Sequence, residues 1–384
     1  MKPCFDSSIN RRDSDSIKWN RYPPDVLPLW VADMDFLSPR PVLEALDARI
    51  KHGIFGYAEI QKEACDAVCH WLLERYQWSV SPDQVVLLPG VVPGFNLAAQ
   101  AFAEPGEGVI IQPPVYRPFF DVASHASLVQ QEAPLREDST GRYHFSPEFF
   151  AACLQENSRI FMLCNPHNPT GRVFSEHELL SMAELCLKHQ ILICSDEIHA
   201  DLVYPGCTHQ PIASLSSEIA EITITLIAPS KTFNIAGLKA SAAVIPNPAL
   251  RKLFENSRRG LLGSINLLGA AALTAAYQQG SPWLDHLIAY LDSNRNYLAS
   301  FVENELPGCK MTLPEGTFLS WIDCRETGLE NPQQFFLDHA RVALNPGEWF
   351  GPSGAGFVRL NFGCPQDLLT QALNRMKAAL QNIS

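Results

Sequence analysis

Apolar and polar residues alternate in blocks along most of the chain. Short apolar runs at 85–88, 109–112, 160–164, 191–194, 222–227 and 240–245 predict strands, several of them buried on both faces. Longer amphipathic stretches between these runs predict helices, beginning after Ser38 and near Glu59 and Pro93. Strands that alternate with helices in this way indicate an α/β fold, in which a mostly parallel sheet is wrapped by helices.

The last third of the chain has a different pattern. A long helical stretch over 281–305 leads into an α+β region, with strands expected near 317–322 and 357–361. We therefore predict a large domain over 40–275 and a small domain formed by 1–39 together with 276–384. The apolar segment 261–277 is interrupted by Gly and polar residues and is shorter than the roughly 20 residues of a membrane span, so we interpret it as a buried helix.

Composition narrows the class of partner. The 384 residues are 46% hydrophobic and 18% charged, as in ordinary globular proteins, and the net charge of -12 argues against a nucleic-acid surface. We therefore expect small-molecule partners, no nucleic acid and no membrane. The eleven cysteines form no Cys-x-x-Cys pair and the N-terminus lacks a secretory signal, which together favour the cytoplasm. Cys65 and Cys69 are expected in the core, and no metal site is predicted.

The strand ends carry the candidate chemistry. Lys231 follows the run 222–227, and a lysine whose pKa is lowered by burial or by a nearby cation can form a Schiff base and act as a base. The alternative is a surface lysine in a loop. Asp196 follows the run 191–194, and the polar loop 165–171 follows 160–164. Because open α/β sheets bind ligands at this edge, we expect the three segments to share one crevice.

These segments resemble a known family. Asn-Pro-His-Asn-Pro-Thr-Gly at 165–171, Asp-Glu at 196–197, Ser-Lys at 230–231 and Arg359 are similar, in order and spacing, to fold-type I pyridoxal-phosphate (PLP) enzymes of the class I/II aminotransferase superfamily. The residues at 28–36 and 90–94, with Arg-Arg at 11–12 and Lys-Trp at 18–19, resemble the cystathionine β-lyase-like carbon-sulfur lyases. The resemblance spans essentially the whole chain and implies a mostly parallel seven-stranded sheet in the large domain.

The resemblance assigns roles around the cofactor ring. Lys231 would carry PLP, and Asp196 would bind the pyridine nitrogen unless it is only a helix cap. Asn168 and His199 would contact the phenolic oxygen, with a histidine of the core or of the surface as the alternative interpretation of His199. Tyr116 would stack on the ring, although a core aromatic is the competing interpretation.

Further roles concern the phosphate, the substrate and a second subunit. The turn after 85–88 opens a helix, so the amides of Gly90, Val91 and Val92 should bind the phosphate, assisted by Ser230 and by Lys239. The glycine-rich segment 351–356 lacks the strand and helix that such a site needs. By resemblance, Arg359 binds the substrate carboxylate together with Asn168, with a structural ion pair as the alternative. Tyr57 resembles a tyrosine that reaches the site from a neighbouring subunit, which implies a homodimer with sites at its interface.

The implied reaction is α,β-elimination from an L-cysteine conjugate, which gives a thiol, pyruvate and ammonia. Lys231 would remove the Cα proton, and either Tyr116 or Tyr57 would protonate the departing thiolate. Two alternatives remain open at this point: a class I/II aminotransferase, and a PLP-binding regulatory protein that acts through a protein partner.

Overall fold

A seven-stranded sheet forms the centre of the fold, in a computed structural model that describes residues 4–7, 9–57, 59 and 61–382. The strands described are β1 (Leu27–Pro28), β2 (Val85–Leu88), β3 (Gly108–Ile111), β4 (Val129–Glu132), β5 (Arg136–Glu137), β6 (Tyr143–His144), β7 (Ser158–Cys164), β8 (Leu192–Asp196), β9 (Thr223–Ile227), β10 (Ser241–Val244), β11 (Lys310–Met311), β12 (Leu319–Asp323), β13 (Val342–Ala343), β14 (Asn345–Pro346) and β15 (Phe357–Asn361). The α-helices described are α1 (Ile17–Asn20), α2 (Arg40–His52), α3 (Gln61–Tyr76), α4 (Val91–Phe102), α5 (Pro118–Ala126), α6 (Pro147–Cys153), α7 (Glu176–Lys188), α8 (Ser217–Glu221), α9 (Pro229–Thr232), α10 (Pro248–Arg258), α11 (Leu267–Gln279), α12 (Ser281–Glu305), α13 (Pro332–Phe335) and α14 (Gln366–Gln381). None of the helices in those ranges is both long and apolar enough to cross a membrane.

The large sheet has the order β2-β10-β9-β8-β7-β3-β4. Only β10 runs against its neighbours, and the remaining pairs are parallel, so the predicted mostly parallel seven-stranded sheet is confirmed. The edge strand β4 was not predicted, because its sequence Val-Gln-Gln-Glu is polar and mostly exposed. As β2 and β9 are both antiparallel to β10, the carboxyl ends of β2, β3, β7, β8 and β9 lie at the same edge.

Helices cover both faces of this sheet. Along β7, Ile160 and Met162 pack in one core with α4, α5 and α10, whereas Phe161 and Leu163 pack in another core with α6 and α7. A third core joins the β2, β9 and β10 side of the sheet to α3, α11, α12 and α14. The period-two alternation explains why these strands are apolar at nearly every position.

The predicted buried helix over 261–277 is wrong in its first six residues. Helix α11 begins at Leu267, and Leu261 is 69% exposed. The side chain of Asn266 accepts a hydrogen bond from the amide of Gly269, which caps the helix and sets its start. The rest of the prediction holds, since Leu273 and Tyr277 in α11 are buried.

The N-terminal segment packs with the C-terminal region, in which β11, β12, β15 and β14 form an antiparallel sheet. Strand β1 pairs with β13, and the amide of Leu29 donates to the carbonyl of Ala343. The amide of Asn361 in turn donates to the carbonyl of Leu29. These contacts join the two ends of the chain; the division into a large domain over 40–275 and a small domain over 1–39 and 276–384 stays a prediction.

A buried ion pair fixes the turn of the N-terminal segment. The Lys18 ammonium is fully buried and lies 2.7 Å from Oδ2 of Asp35, which is 3% exposed. Arg11 and the indole N–H of Trp19 both bond to Oδ1 of Asp35, at 2.6 and 2.8 Å. Burial opposes ionisation of Asp35, yet Lys18, Trp19 and Arg11 outweigh it and lower the pKa of this carboxyl. The Asp35 carboxylate is therefore ionised at neutral pH.

We expect Asp35→Ala to destabilise the fold by about 3–5 kcal/mol, because it leaves the buried Lys18 ammonium with only the more distant carboxylate of Asp33, 3.6 Å away, as an ionic partner. The free energy of unfolding, measured by urea denaturation, tests this. The control is Asp25→Ala, which removes an exposed carboxylate paired with Arg341 and should cost much less, because water screens that pair. Equal losses for both variants would contradict the importance assigned to the buried pair.

Candidate active site

The carboxyl edge of the large sheet encloses a cavity of about 410 Å³. Five strands end there, and ten of the twelve residues predicted for the site line it: Gly90, Val91, Val92, Tyr116, Asn168, Asp196, His199, Ser230, Lys231 and Lys239. The predicted convergence of strand ends on one crevice is therefore observed. The two other residues, Arg359 and Tyr57, are treated separately below.

Lys231 lies in the single turn α9, directly after β9. Its Nζ donates a 2.6 Å hydrogen bond to the carbonyl oxygen of Ala32 in the N-terminal segment. Burial lowers the pKa of Lys231 to about 8, with a further contribution from the charge of Arg359. An amine with this pKa is partly neutral near neutral pH, and only a neutral amine attacks an aldehyde.

Asp196 ends β8 and is the carboxylate available to a ligand. Its Oδ1 accepts a 3.1 Å hydrogen bond from the amide of Ile198, and burial raises the pKa of Asp196 to about 7. The side chain of the adjacent Glu197 does not line the cavity. It contacts His209 at 2.9 Å and accepts a hydrogen bond from the Ser195 hydroxyl at 2.8 Å. A cationic ring nitrogen would supply the opposite charge that buried Asp196 lacks.

The N-terminus of α4 offers an anion site. Val91 and Val92 open the helix after Gly90, so their amides have no acceptor within the helix, and Ser230 and Lys239 line the same cavity. The helix sits close on the sheet, since a Cβ at Gly94 would lie 3.0 Å from Leu226 and 3.1 Å from Leu88. The amides are therefore held at a fixed distance from β9.

Arg359 in β15 is a buried guanidinium, 5% exposed, that forms no ion pair with any carboxylate in the described part of the chain. Its Nη1 donates to Oδ1 of Asn168 at 2.9 Å, and its Nη2 donates to Oδ1 of Asn345 at 2.6 Å and to the carbonyl of Trp30 at 3.1 Å. Burial lowers the pKa of Arg359 to about 10. A carboxylate ligand would provide the missing countercharge.

Three uncharged groups complete the wall. Arg359 holds the oxygen of Asn168, which leaves the amide NH₂ of Asn168 to donate into the cavity. His199 is buried, its Nδ1 has no partner among the described residues, and burial with the charges of Lys231 and Arg359 lowers its pKa well below the usual value. Tyr116 is protonated, since burial raises its pKa. These groups can donate or accept hydrogen bonds without adding charge.

Tyr57 lies outside the cavity of its own chain. Its side chain is fully exposed, and it borders a separate surface hollow with Phe55 and residues 264–268. Ala32 and Asn345, which bond to Lys231 and Arg359, were not predicted as site residues. Ala32 lies in the motif at 28–36 but acts through its backbone carbonyl, and Asn345 lies in a two-residue strand that no motif marks.

The donor set fits pyridoxal phosphate. The cofactor needs an amine for its aldehyde, a carboxylate for its ring nitrogen, donors for its phenolic oxygen and an anion site for its phosphate. The cavity provides Lys231, Asp196, Asn168 and the N-terminus of α4 for these four needs. In the described ranges no group of three or more His, Cys, Asp or Glu side chains is placed to hold a metal ion.

Comparison with known proteins gives the family. The model of the family described as aminotransferase class I and II matches residues 24–376. The chain is 44% identical over 385 residues to cystathionine beta-lyase PatB of Bacillus subtilis (strain 168), covering 98% of this chain and 99% of the relative. The structure of cystalysin from Treponema denticola, which contains a pyridoxal 5'-phosphate cofactor, matches with TM-score 0.96 and 34% identity over 100% of both chains. The structure of OvoB matches with TM-score 0.94 and 42% identity, covering 98% of this chain and 99% of that one. The chain therefore belongs to the aminotransferase class I and II family.

Proposed function

We propose that this chain is a PLP-dependent carbon-sulfur β-lyase that cleaves an L-cysteine conjugate such as cystathionine. The observation that carries the proposal is a single cavity in which a lysine of pKa about 8 lies with a buried aspartate and with Asn168, the partner of an arginine that has no ionic partner among the described residues. Lys231 would attach the cofactor covalently, and Asp196 would bind its ring. Arg359 together with Asn168 would bind the carboxylate of an amino acid. The relatives named as lyases supply the class of reaction.

The residues divide between cofactor and substrate. Lys231 would hold PLP covalently, Asp196 would contact the ring nitrogen, and Asn168 with His199 would contact the phenolic oxygen. Tyr116 would stack on the ring. The amides of Gly90, Val91 and Val92, the hydroxyl of Ser230 and the ammonium of Lys239 would bind the phosphate. When bound, PLP supplies an aldehyde for attachment and a ring that accepts the electron pair released at Cα.

The chain's own groups then move the protons. Arg359 binds the substrate carboxylate, which fixes Cα relative to Lys231. The Nζ of Lys231 would take the proton from Cα, and the electron pair left at Cα would form a Cα–Cβ double bond as the Cβ–S bond breaks with its own pair leaving on sulfur. Tyr116, or Tyr57 of a second subunit, donates a proton to that sulfur, and the three-carbon remainder hydrolyses to pyruvate and ammonia. Aminotransfer would use the same base, but it would need a keto acid and release no thiol.

We also propose a cytoplasmic homodimer. Ile54, Phe55 and Tyr57 are exposed, as is Leu261, and a second copy of the chain would cover such apolar side chains. Tyr57 of one subunit would then reach the cavity of the other. All eleven cysteines are free thiols, which suits a reducing compartment.

We expect Lys231→Ala to abolish pyruvate release from L-cystathionine when no keto acid is present. Loss of the general base alone removes roughly 10²- to 10⁴-fold in rate, and loss of the attachment point adds to this. The control is Lys252→Ala, which changes an exposed lysine and should retain full activity. A wild-type protein that releases no pyruvate from cystathionine or cystine, yet consumes a keto acid, would instead be an aminotransferase.

The low pKa of Lys231 predicts how attachment of PLP to the apoprotein depends on pH. With a pKa of about 8, about one amine in ten is neutral at pH 7, so the rate of attachment should rise with pH and level off above about pH 8 to 9. Absorbance of the bound cofactor and trapping by borohydride measure this rate. A rate that rises tenfold per pH unit up to pH 10 would show an ordinary lysine and contradict the assignment.

We expect Arg359→Lys to lower kcat/KM for L-cystathionine about 10- to 100-fold, because a lysine cannot bond to Asn168, Asn345 and a substrate carboxylate in one plane. PLP occupancy, measured by absorbance, should stay unchanged. The matched control is Arg325→Lys, which alters a half-exposed arginine paired with Asp323 and Glu137. If both variants keep the wild-type kcat/KM, Arg359 does not bind the substrate.

A further inference from the structure

Asp201 follows Asp196 and Glu197 along the same segment, but it is not among the residues that line the cavity. Asp201 is 8% exposed and accepts three hydrogen bonds. Its Oδ1 accepts from the indole N–H of Trp71 at 3.0 Å and from the hydroxyl of Tyr76, both on α3. Its Oδ2 accepts from the hydroxyl of Thr232 at 2.7 Å.

Thr232 is the residue next to Lys231, and the two side chains make different contacts. Lys231 donates to Ala32 and lines the cavity, whereas Thr232 is fully buried and donates to Asp201. The turn that carries both, α9, has only four residues, so its internal hydrogen bonds are too few to hold its orientation. Contacts beyond the turn, among them the backbone bond from Ile235 to Ser230 and the side-chain bond of Thr232, therefore help to fix the direction in which Lys231 points.

We propose that Asp201 is a positioning residue for the catalytic lysine. Its hydrogen bond with Thr232 holds α9 against the segment that also bears Asp196 and His199. One carboxylate thus sets the distance between the amine and the ring-binding carboxylate. The proposal rests on the proposed function of the same cavity and adds a residue that does not touch the ligand.

The chemistry of the cluster requires a carboxylate. Trp71, Tyr76 and Thr232 all donate, and an ionised carboxylate is the side chain that only accepts. Burial and the charge of Asp201 raise the pKa of Tyr76 well above its usual value, so the phenol keeps its proton and remains a donor. An asparagine at 201 would turn an NH₂ toward one of these donors and lose a bond.

Thr232→Val provides the test, because it keeps the shape of the side chain and removes only the hydroxyl. With α9 less well held, Lys231 becomes better solvated, and the midpoint pH of PLP attachment should rise from about 8 toward the ordinary lysine value of about 10.4. The kcat for pyruvate release should fall about tenfold with little change in KM, since a small misplacement of a catalytic group affects the chemical step most. Thr232→Ser restores the hydroxyl and should restore both values.

Tyr76→Phe is the matched control. It removes another hydrogen bond from the same carboxylate, but Trp71 still holds Oδ1 and Thr232 still holds Oδ2. We expect a lower melting temperature for Tyr76→Phe, with the attachment midpoint and kcat unchanged. If Thr232→Val leaves both quantities unchanged, Asp201 does not position Lys231 through Thr232. If Tyr76→Phe shifts both quantities as much as Thr232→Val does, the effect is not carried by the bond between Thr232 and Asp201. Either result contradicts the proposal. Attachment is measured without turnover, so this outcome is distinct from a wild-type protein that releases no pyruvate.

Discussion

Removal of charged side chains from water at one sheet edge governs the chemistry of this chain. In the cavity, burial lowers the pKa of Lys231 to about 8 and raises the pKa of Asp196 to about 7, and beside Asn168 burial lowers the pKa of Arg359 to about 10. Each shift favours the neutral form, since a buried charge without a partner costs free energy. A ligand that brings the opposite charges recovers this cost on binding. Hydrogen bonds from the rest of the fold hold these three groups in place, although none of them has an ion-pair partner among the described residues.

Much of the site could be predicted because the sequence separates buried strands from the polar residues that follow them. The run 222–227 ends at α9 with Lys231, and the run 191–194 ends next to Asp196. In a parallel sheet such ends must meet at one edge, so residues 35 positions apart become neighbours without knowledge of their side-chain contacts. The resemblance to a family then supplied roles that strand ends alone do not define, such as those of Tyr116 and Arg359.

What the sequence did not reveal depends on contacts between distant segments or on a single cap. Ala32 acts through a backbone carbonyl, which has no signature in the sequence. Asn345 and Asp201 are ordinary polar residues until the fold places them beside Arg359 and Thr232. The start of α11 was missed because one side chain, Asn266, decides it against an apolar pattern that continues on both sides. Strand β4 was missed because edge strands carry polar residues.

The N-terminal segment that carries Ala32 has a consequence for how the protein folds during synthesis. This segment is held in place by Asn361, whose side chain donates a hydrogen bond to the carbonyl of Val31 across a separation of 330 residues. During synthesis from the N-terminus, this bond can form only after nearly the whole chain has left the ribosome, whereas Lys18 and Asp35 can pair within the N-terminal segment much earlier. The sheet edge can also form before Asn361 is in place. A nascent chain can thus bring its lysine and aspartate together before the segment beside Lys231 is held in its final position.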